Sequence, residues 1–194
     1  MTTWSTAFTQ GVLLFRALGK QDDSSQGIYP RDPYTALTVD EHITKGPISS
    51  NGSRYISTTC NINLAVNMAV KRCSTLAIII CALLDQDIEL LDLSSGHNCL
   101  TQDSNNTTIA LSEVLLRPYI NIGAIFTVPY EDLYCLPDDA IYSFRRNCYR
   151  VARGRCLRQR QCYFCNHLGH DDDDCAEYDA WIVEEGEISR YLSL

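Results

Sequence analysis

Leu76 to Leu84 is an unbroken run of nine apolar residues with Ile78, Ile79 and Ile80 at its centre. No polar residue interrupts it, so the run predicts a strand buried on both faces rather than one with a solvated side. Such a strand needs cover from other elements above and below. The chain has 194 residues, 45% of them hydrophobic, enough for one substantial core and a small appendage. Nine apolar residues fall well short of the ~18 to 20 of a membrane span, and no longer run exists, so no membrane partner is expected.

Around this run the pattern predicts an α+β domain with a β-rich core and helices towards its N-terminal half. Gln21 to Ser53 reads as irregular loop with one short helix, Thr38 to Ile43, where Thr38 and Glu41 have the spacing of a capping box. Tyr55 to Thr59 is β-branched and aromatic and reads as a strand. Asn61 to Arg72 follows as a helix capped by Asn61, with Leu64, Ala65, Met68 and Ala69 at helical spacing. Further strands are expected at Ile88 to Leu93, Glu113 to Leu116 and Ile120 to Val128, and polar Gly96 to Thr108 is expected to be a loop.

The net charge of −8 argues against bulk attraction to nucleic acid or anionic membranes. Ten cysteines without a basic, apolar leader point to thiols and a metal site in a reducing compartment, hence an intracellular protein, cytoplasmic or nuclear. The charge is unevenly spread. Phe144 to Arg160 holds seven arginines and no acid, whereas Asp171 to Leu194 holds nine acids and one arginine. The chain therefore divides into residues 1–137, the main domain, and 138–194, a basic segment followed by an acidic tail.

Three features of the main domain occur in a set order: Phe15-Arg16-Ala17-Leu18, then Ser53-Arg54-Tyr55-Ile56-Ser57-Thr58-Thr59, then Ser112-Glu113-Val114-Leu115-Leu116. Together they resemble the Arg, Ser-Thr-Ser, Glu pattern of the cholera-toxin-like ADP-ribosyltransferases, over about residues 13 to 130. The segment from Thr38-Val39 through His42-Ile43 and Gly46 into Tyr55 to Thr59 extends the resemblance. It implies a split β-sheet core with flanking helices that binds NAD as substrate. By resemblance, Arg16 clamps phosphate or ribose oxygens with its planar fork, and Ser57, Thr58 and Thr59 lie beside the nicotinamide ribose. Glu113 is the catalytic carboxylate, stabilising the oxocarbenium-like state formed as the nicotinamide–ribose bond breaks. The resemblance would also bring His42 to NAD, although a histidine inside a capped helix is the simpler account.

Many arginine-modifying members carry Glu or Gln two residues before the catalytic Glu, where this chain has Leu111. The expected activity is transfer of ADP-ribose to a macromolecular acceptor, with an arginine side chain the less favoured target. An NAD glycohydrolase, or an inactive protein that keeps the fold for interactions, stays open beside it.

Cys162, Cys165, His170 and Cys175 have the C-x2-C-x4-H-x4-C spacing of a zinc knuckle, with Gly169 at the bend, and predict a small module closed by a structural Zn2+. Tyr163 and Phe164 between the first two ligands, with the arginines just before them, suit single-stranded nucleic acid. Asp171 to Asp174 inside the knuckle oppose it. The arginine segment is open to nucleic acid, to an acidic protein partner, or, as a helix, to the chain's own acidic tail.

Overall fold

The computed structural model describes residues 12–45, 52–137 and 140–158. Six strands form one sheet: β1 (Leu13–Ala17), β2 (Ile56–Thr59), β3 (Leu76–Ile80), β4 (Glu89–Asp92), β5 (Glu113–Arg117) and β6 (Ile125–Val128). Their spatial order is β4-β5-β2-β1-β3-β6, and every neighbouring pair is antiparallel. Among the described residues five helices accompany them: α1 (Val39–Lys45), α2 (Ile62–Lys71), α3 (Gln102–Leu111), α4 (Tyr130–Tyr134) and α5 (Ile141–Arg158). The architecture is α+β, as the sequence predicts.

The apolar run forms β3, all five of whose residues are wholly buried, between β1 and β6. The strand is shorter than expected. Cys81–Leu83 turns into a 3-10 helix, with the Leu84 amide donating to the Cys81 carbonyl at 3.2 Å. A turn packed beneath the sheet is as apolar as a strand, so composition alone cannot mark where one gives way to the other. Ile120 to Val128 shortens for a similar reason. Ile120 makes only an isolated bridge with Ile28, a 3-10 turn covers Ile122–Ala124, and the strand begins at Ile125.

Local signals set the helix starts. Thr38 and Glu41 form the capping box in both directions: Glu41 Oε2 accepts from the Thr38 amide at 2.9 Å, and Thr38 Oγ1 accepts from the Glu41 amide at 3.2 Å. Asn61 caps α2 by accepting from the Leu64 amide at 3.2 Å. Helix α2 buries Ile62, Ala65, Val66 and Ala69, while Leu64 and Met68 turn towards a cleft described below.

Helix α3 falls where a loop was expected. Its inward residues are Ser104 and Thr108, both buried, so the i, i+4 stripe that marks an amphipathic helix is hydroxylic instead of apolar. Thr101 caps it, and Asp40 of α1 accepts from both the Thr101 amide and its hydroxyl, at 2.9 and 3.2 Å. Polar pairing between two helices here replaces the apolar packing that a sequence pattern registers.

The sheet is weakest at its middle. β1 and β3 share five registered residue pairs and β2 and β5 share four, but β1 and β2 share only Phe15 with Thr59. The two strands part after that pair. Continued register would set Ala17 opposite Ser57; instead the Ser57 carbonyl accepts from the Arg16 side chain. Cys148, Ala152 and Cys156 of α5, spaced four apart, are buried in the same core cluster as β1, β3 and α2. Arg155 of α5 donates to the Ile125 carbonyl on edge strand β6 at 2.6 Å and lies over the Phe126 ring.

Candidate functional site

Where β1 and β2 part, Arg16 is held on two sides. Its Nη1 donates to the Ser57 carbonyl at 2.8 Å, and Nε and Nη2 donate to Asp22 Oδ2 at 3.2 and 3.1 Å. The Gly19 amide donates to the same carboxylate oxygen at 2.8 Å and fixes it. A guanidinium locked in this way has little rotamer freedom left to lose when an anion arrives.

Ser57 joins Arg16 to two further groups. His42 Nε2 lies 2.9 Å from Ser57 Oγ, and the Ser57 hydroxyl is near enough to the Glu113 carboxylate to favour its ionised form. An ionised carboxylate can only accept, so when Ser57 turns its hydrogen to Glu113 it accepts from His42 Nε2–H, the tautomer that suits this arrangement. Burial, reinforced by the Arg16 charge, pushes the His42 pKa down to about 4. His42 is therefore neutral near pH 7, a hydrogen-bond donor and not an acid. Tyr55 packs edge-on against its ring, with centroids 5.4 Å apart.

Glu113, the first residue of β5, is 7% exposed. Burial raises its pKa, and the Ser57 hydrogen bond opposes that rise only in part. Its position follows from the turn before it. Ser112 ends α3 in the left-handed region at φ 47° and ψ 49°, Thr59 Oγ1 donates to the Leu111 carbonyl at 2.7 Å, and Thr58 Oγ1 donates to the Val114 carbonyl at 2.7 Å. Thr58 and Thr59 thus clamp both sides of Glu113. Their hydroxyl hydrogens are committed to the backbone, which leaves Ser57 as the hydroxyl of the trio that meets the other polar side chains.

Arg16, His42, the Ser57 to Thr59 strand, Leu111 and Glu113 all line one cleft of about 380 Å³, a size typical of small-molecule sites. Two arginines that the sequence patterns do not single out, Arg31 and Arg72, line it as well. Among the described residues Glu113 is the one acid on the cleft wall, against three arginines. A chain of net charge −8 thus lines this cleft with three arginines, one of them paired with Asp22, and a buried carboxylate. Arg31 and Arg72 lie in a loop and at a helix end, where spacing carries no signal. His42, which the resemblance brings to NAD in the sequence, lies on the cleft wall.

The zinc-knuckle residues Cys162, Cys165, His170 and Cys175 lie outside the described residues. Among the described residues no group of His, Cys, Asp and Glu is arranged to hold a metal ion, and no helix is long and apolar enough to cross a membrane. Fold and site define an α+β protein with an arginine-lined cleft at the parting of a six-stranded antiparallel sheet. Comparison with protein-family models, with curated proteins and with solved structures finds no match.

Proposed function

We propose that the cleft binds NAD and that the protein is a mono-ADP-ribosyltransferase. The observation that carries this reading is the convergence on Ser57: its carbonyl accepts from Arg16, and its hydroxyl meets Glu113 and His42. Residues 41 and 15 positions away in the chain come together on one serine. Three arginines suit the pyrophosphate of a dinucleotide, and one buried carboxylate suits a centre that becomes positive during reaction. The parting of β1 from β2 at Arg16 also agrees with a split-sheet core.

In this reading Arg16 and Ser57 hold the nicotinamide half. The bond between ribose C1′ and the nicotinamide nitrogen breaks, and its electron pair leaves with nicotinamide. Glu113 stabilises the oxocarbenium-like ribose. The acceptor's nucleophile then bonds to C1′ and loses its proton. His42 keeps Ser57 turned towards Glu113.

Nicotinamide release from NAD tests it directly. Glu113→Gln keeps the shape of the side chain and is expected to slow release by at least ~100-fold, the usual loss of a main electrostatic stabiliser, while NAD still binds. Equal turnover in both proteins would remove Glu113 from the chemistry. Leu111 on the cleft wall favours a second reading, an NAD glycohydrolase, in which water takes the acceptor's place. Free ADP-ribose without labelled macromolecule would select it. An inactive scaffold would give no heat on titration with NAD and no rise in melting temperature. For the C-terminal segment the CCHC spacing supports one structural Zn2+ on Cys162, Cys165, His170 and Cys175.

A further inference from the structure

Tyr29 is 58% exposed, yet its ring is not loose. It stacks on Tyr119 with centroids 5.9 Å apart and planes within 16°, and the Tyr119 hydroxyl donates to Asp85 Oδ2 at 2.7 Å. The backbone beneath is pinned: the Ile28 and Ile120 amides each donate to the other residue's carbonyl, at 2.9 and 2.8 Å. Gly27, at φ +105°, lies so close that a Cβ there would meet the Ile120 carbonyl oxygen at 2.6 Å. Tyr29 is thus an aromatic ring backed by a second ring, held by two main-chain hydrogen bonds, with its outer side open.

That ring lines the same cleft as Glu113, together with Arg31, two residues along, and Arg72 at the end of α2. Its backing ring, Tyr119, follows the end of β5 opposite to the one that carries the carboxylate. Glu113 and Arg117 are the ends of β5, about 13 Å apart at the usual rise of a strand, and Tyr119 lies beyond Pro118 on the Arg117 side. A flat ring backed from beyond the Arg117 end of β5, a buried carboxylate at the other end of that strand, and arginines on the shared cleft wall match a ligand with a base, a pyrophosphate and a reacting sugar in that order.

We infer that Tyr29 on its Tyr119 backing, with Arg31 and Arg72, forms the subsite for the adenosine diphosphate half of the ligand, the adenine stacking on the Tyr29 ring. This rests on the NAD reading for the identity of the other half. It also fixes which way the dinucleotide lies, with adenine at Tyr29 and nicotinamide at Glu113.

Calorimetric titration of the full chain with ADP and with inorganic pyrophosphate tests it. Tyr29→Ala is expected to weaken ADP about ten-fold or more, the usual loss when a base-stacking ring is removed, and to leave pyrophosphate affinity unchanged. Arg72→Gln should weaken both probes. Tyr29→Phe, which keeps the ring, should bind ADP as the parent does, and melting temperatures of the three variants check the fold. Unchanged ADP affinity in Tyr29→Ala, or no ADP binding by the parent, overturns the subsite. ADP binding that depends on Tyr29 in a protein that neither binds nor cleaves NAD would leave the subsite standing and sink the transferase reading. Cleavage of NAD that depends on Glu113 but is indifferent to Tyr29, with ADP affinity equally indifferent, would do the reverse.

Discussion

His42 shows how burial turns a residue's chemistry away from its usual use. Its pKa is pushed down to about 4 from an ordinary value of 6.5, so folding disfavours the charged form. Its contribution to stability is complete above pH 6.5 and is lost as pH falls towards 4, because the unfolded chain takes up the proton first. The loss across that window is of order 3 kcal/mol. Urea unfolding between pH 7 and pH 4 should therefore show a fall in stability that His42→Gln largely removes; parallel curves for the two proteins would contradict the assignment. Glu113 carries the opposite sign. Its raised pKa means that the ionised form destabilises the fold, a cost absent at low pH and growing as pH rises through the folded value. Glu113→Gln should accordingly melt at a higher temperature than the parent at pH 7 while losing activity, the trade expected where function places a charge in a buried site. A lower melting temperature would mean that the Ser57 hydrogen bond outweighs the burial.

At the scale of elements, the site depends on the junction of α3 and β5. Ser112 is a non-glycine residue at φ 47°, a conformation that costs an L-residue about 1 kcal/mol or more, and it directly precedes Glu113. Ser112→Gly should stabilise the protein by roughly 0.5 to 1 kcal/mol. Ser112→Val should destabilise it by more than 1 kcal/mol and reduce nicotinamide release as well, because Glu113 shifts with the turn. Chemical denaturation and the release assay read both effects. The junction also marks the limit of what the sequence conveys. The capping box of α1, the cap of α2 and the strand β2 are local signals and are legible. Helix α3 is not, because Ser104 and Thr108 replace its apolar stripe and its hold on α1 runs through Asp40 and Thr44. β1 reads only as a short apolar patch, although it lies at the centre of the sheet between β2 and β3. Ser57 and Glu113 lie on neighbouring strands β2 and β5, where Thr59 is registered against Glu113, and Arg16 lies on β1. The grip of Asp22 on Arg16, the chain from His42 through Ser57 and the position of Tyr29 over Tyr119 depend on contacts between distant segments, and residue spacing does not encode them.

For the whole molecule, the question is where the folding unit ends. Composition divides the chain at 137, where the basic segment begins. Yet α5, which lies within that segment, buries Cys148, Ala152 and Cys156 in the core and caps the β6 edge through Arg155. Arginines that look like a nucleic-acid footprint in the sequence are thus used in part inside the fold. Burial pushes the Cys148 thiol up to about 12, which keeps the free thiol protonated where it packs in the core. A chain ending at Pro137 would open this core face and free an edge strand, and it should aggregate or melt many degrees lower. A chain ending at Arg158 keeps every described element and should bind NAD as the full chain does, though without the CCHC segment. If zinc belongs to that segment alone, the full chain should carry one Zn2+ per molecule and the shorter one none. Chelation should then leave nicotinamide release intact and alter only the choice of acceptor. Should release instead fall with the metal, the C-terminal module would have to contact the cleft, and the catalytic unit would extend beyond α5.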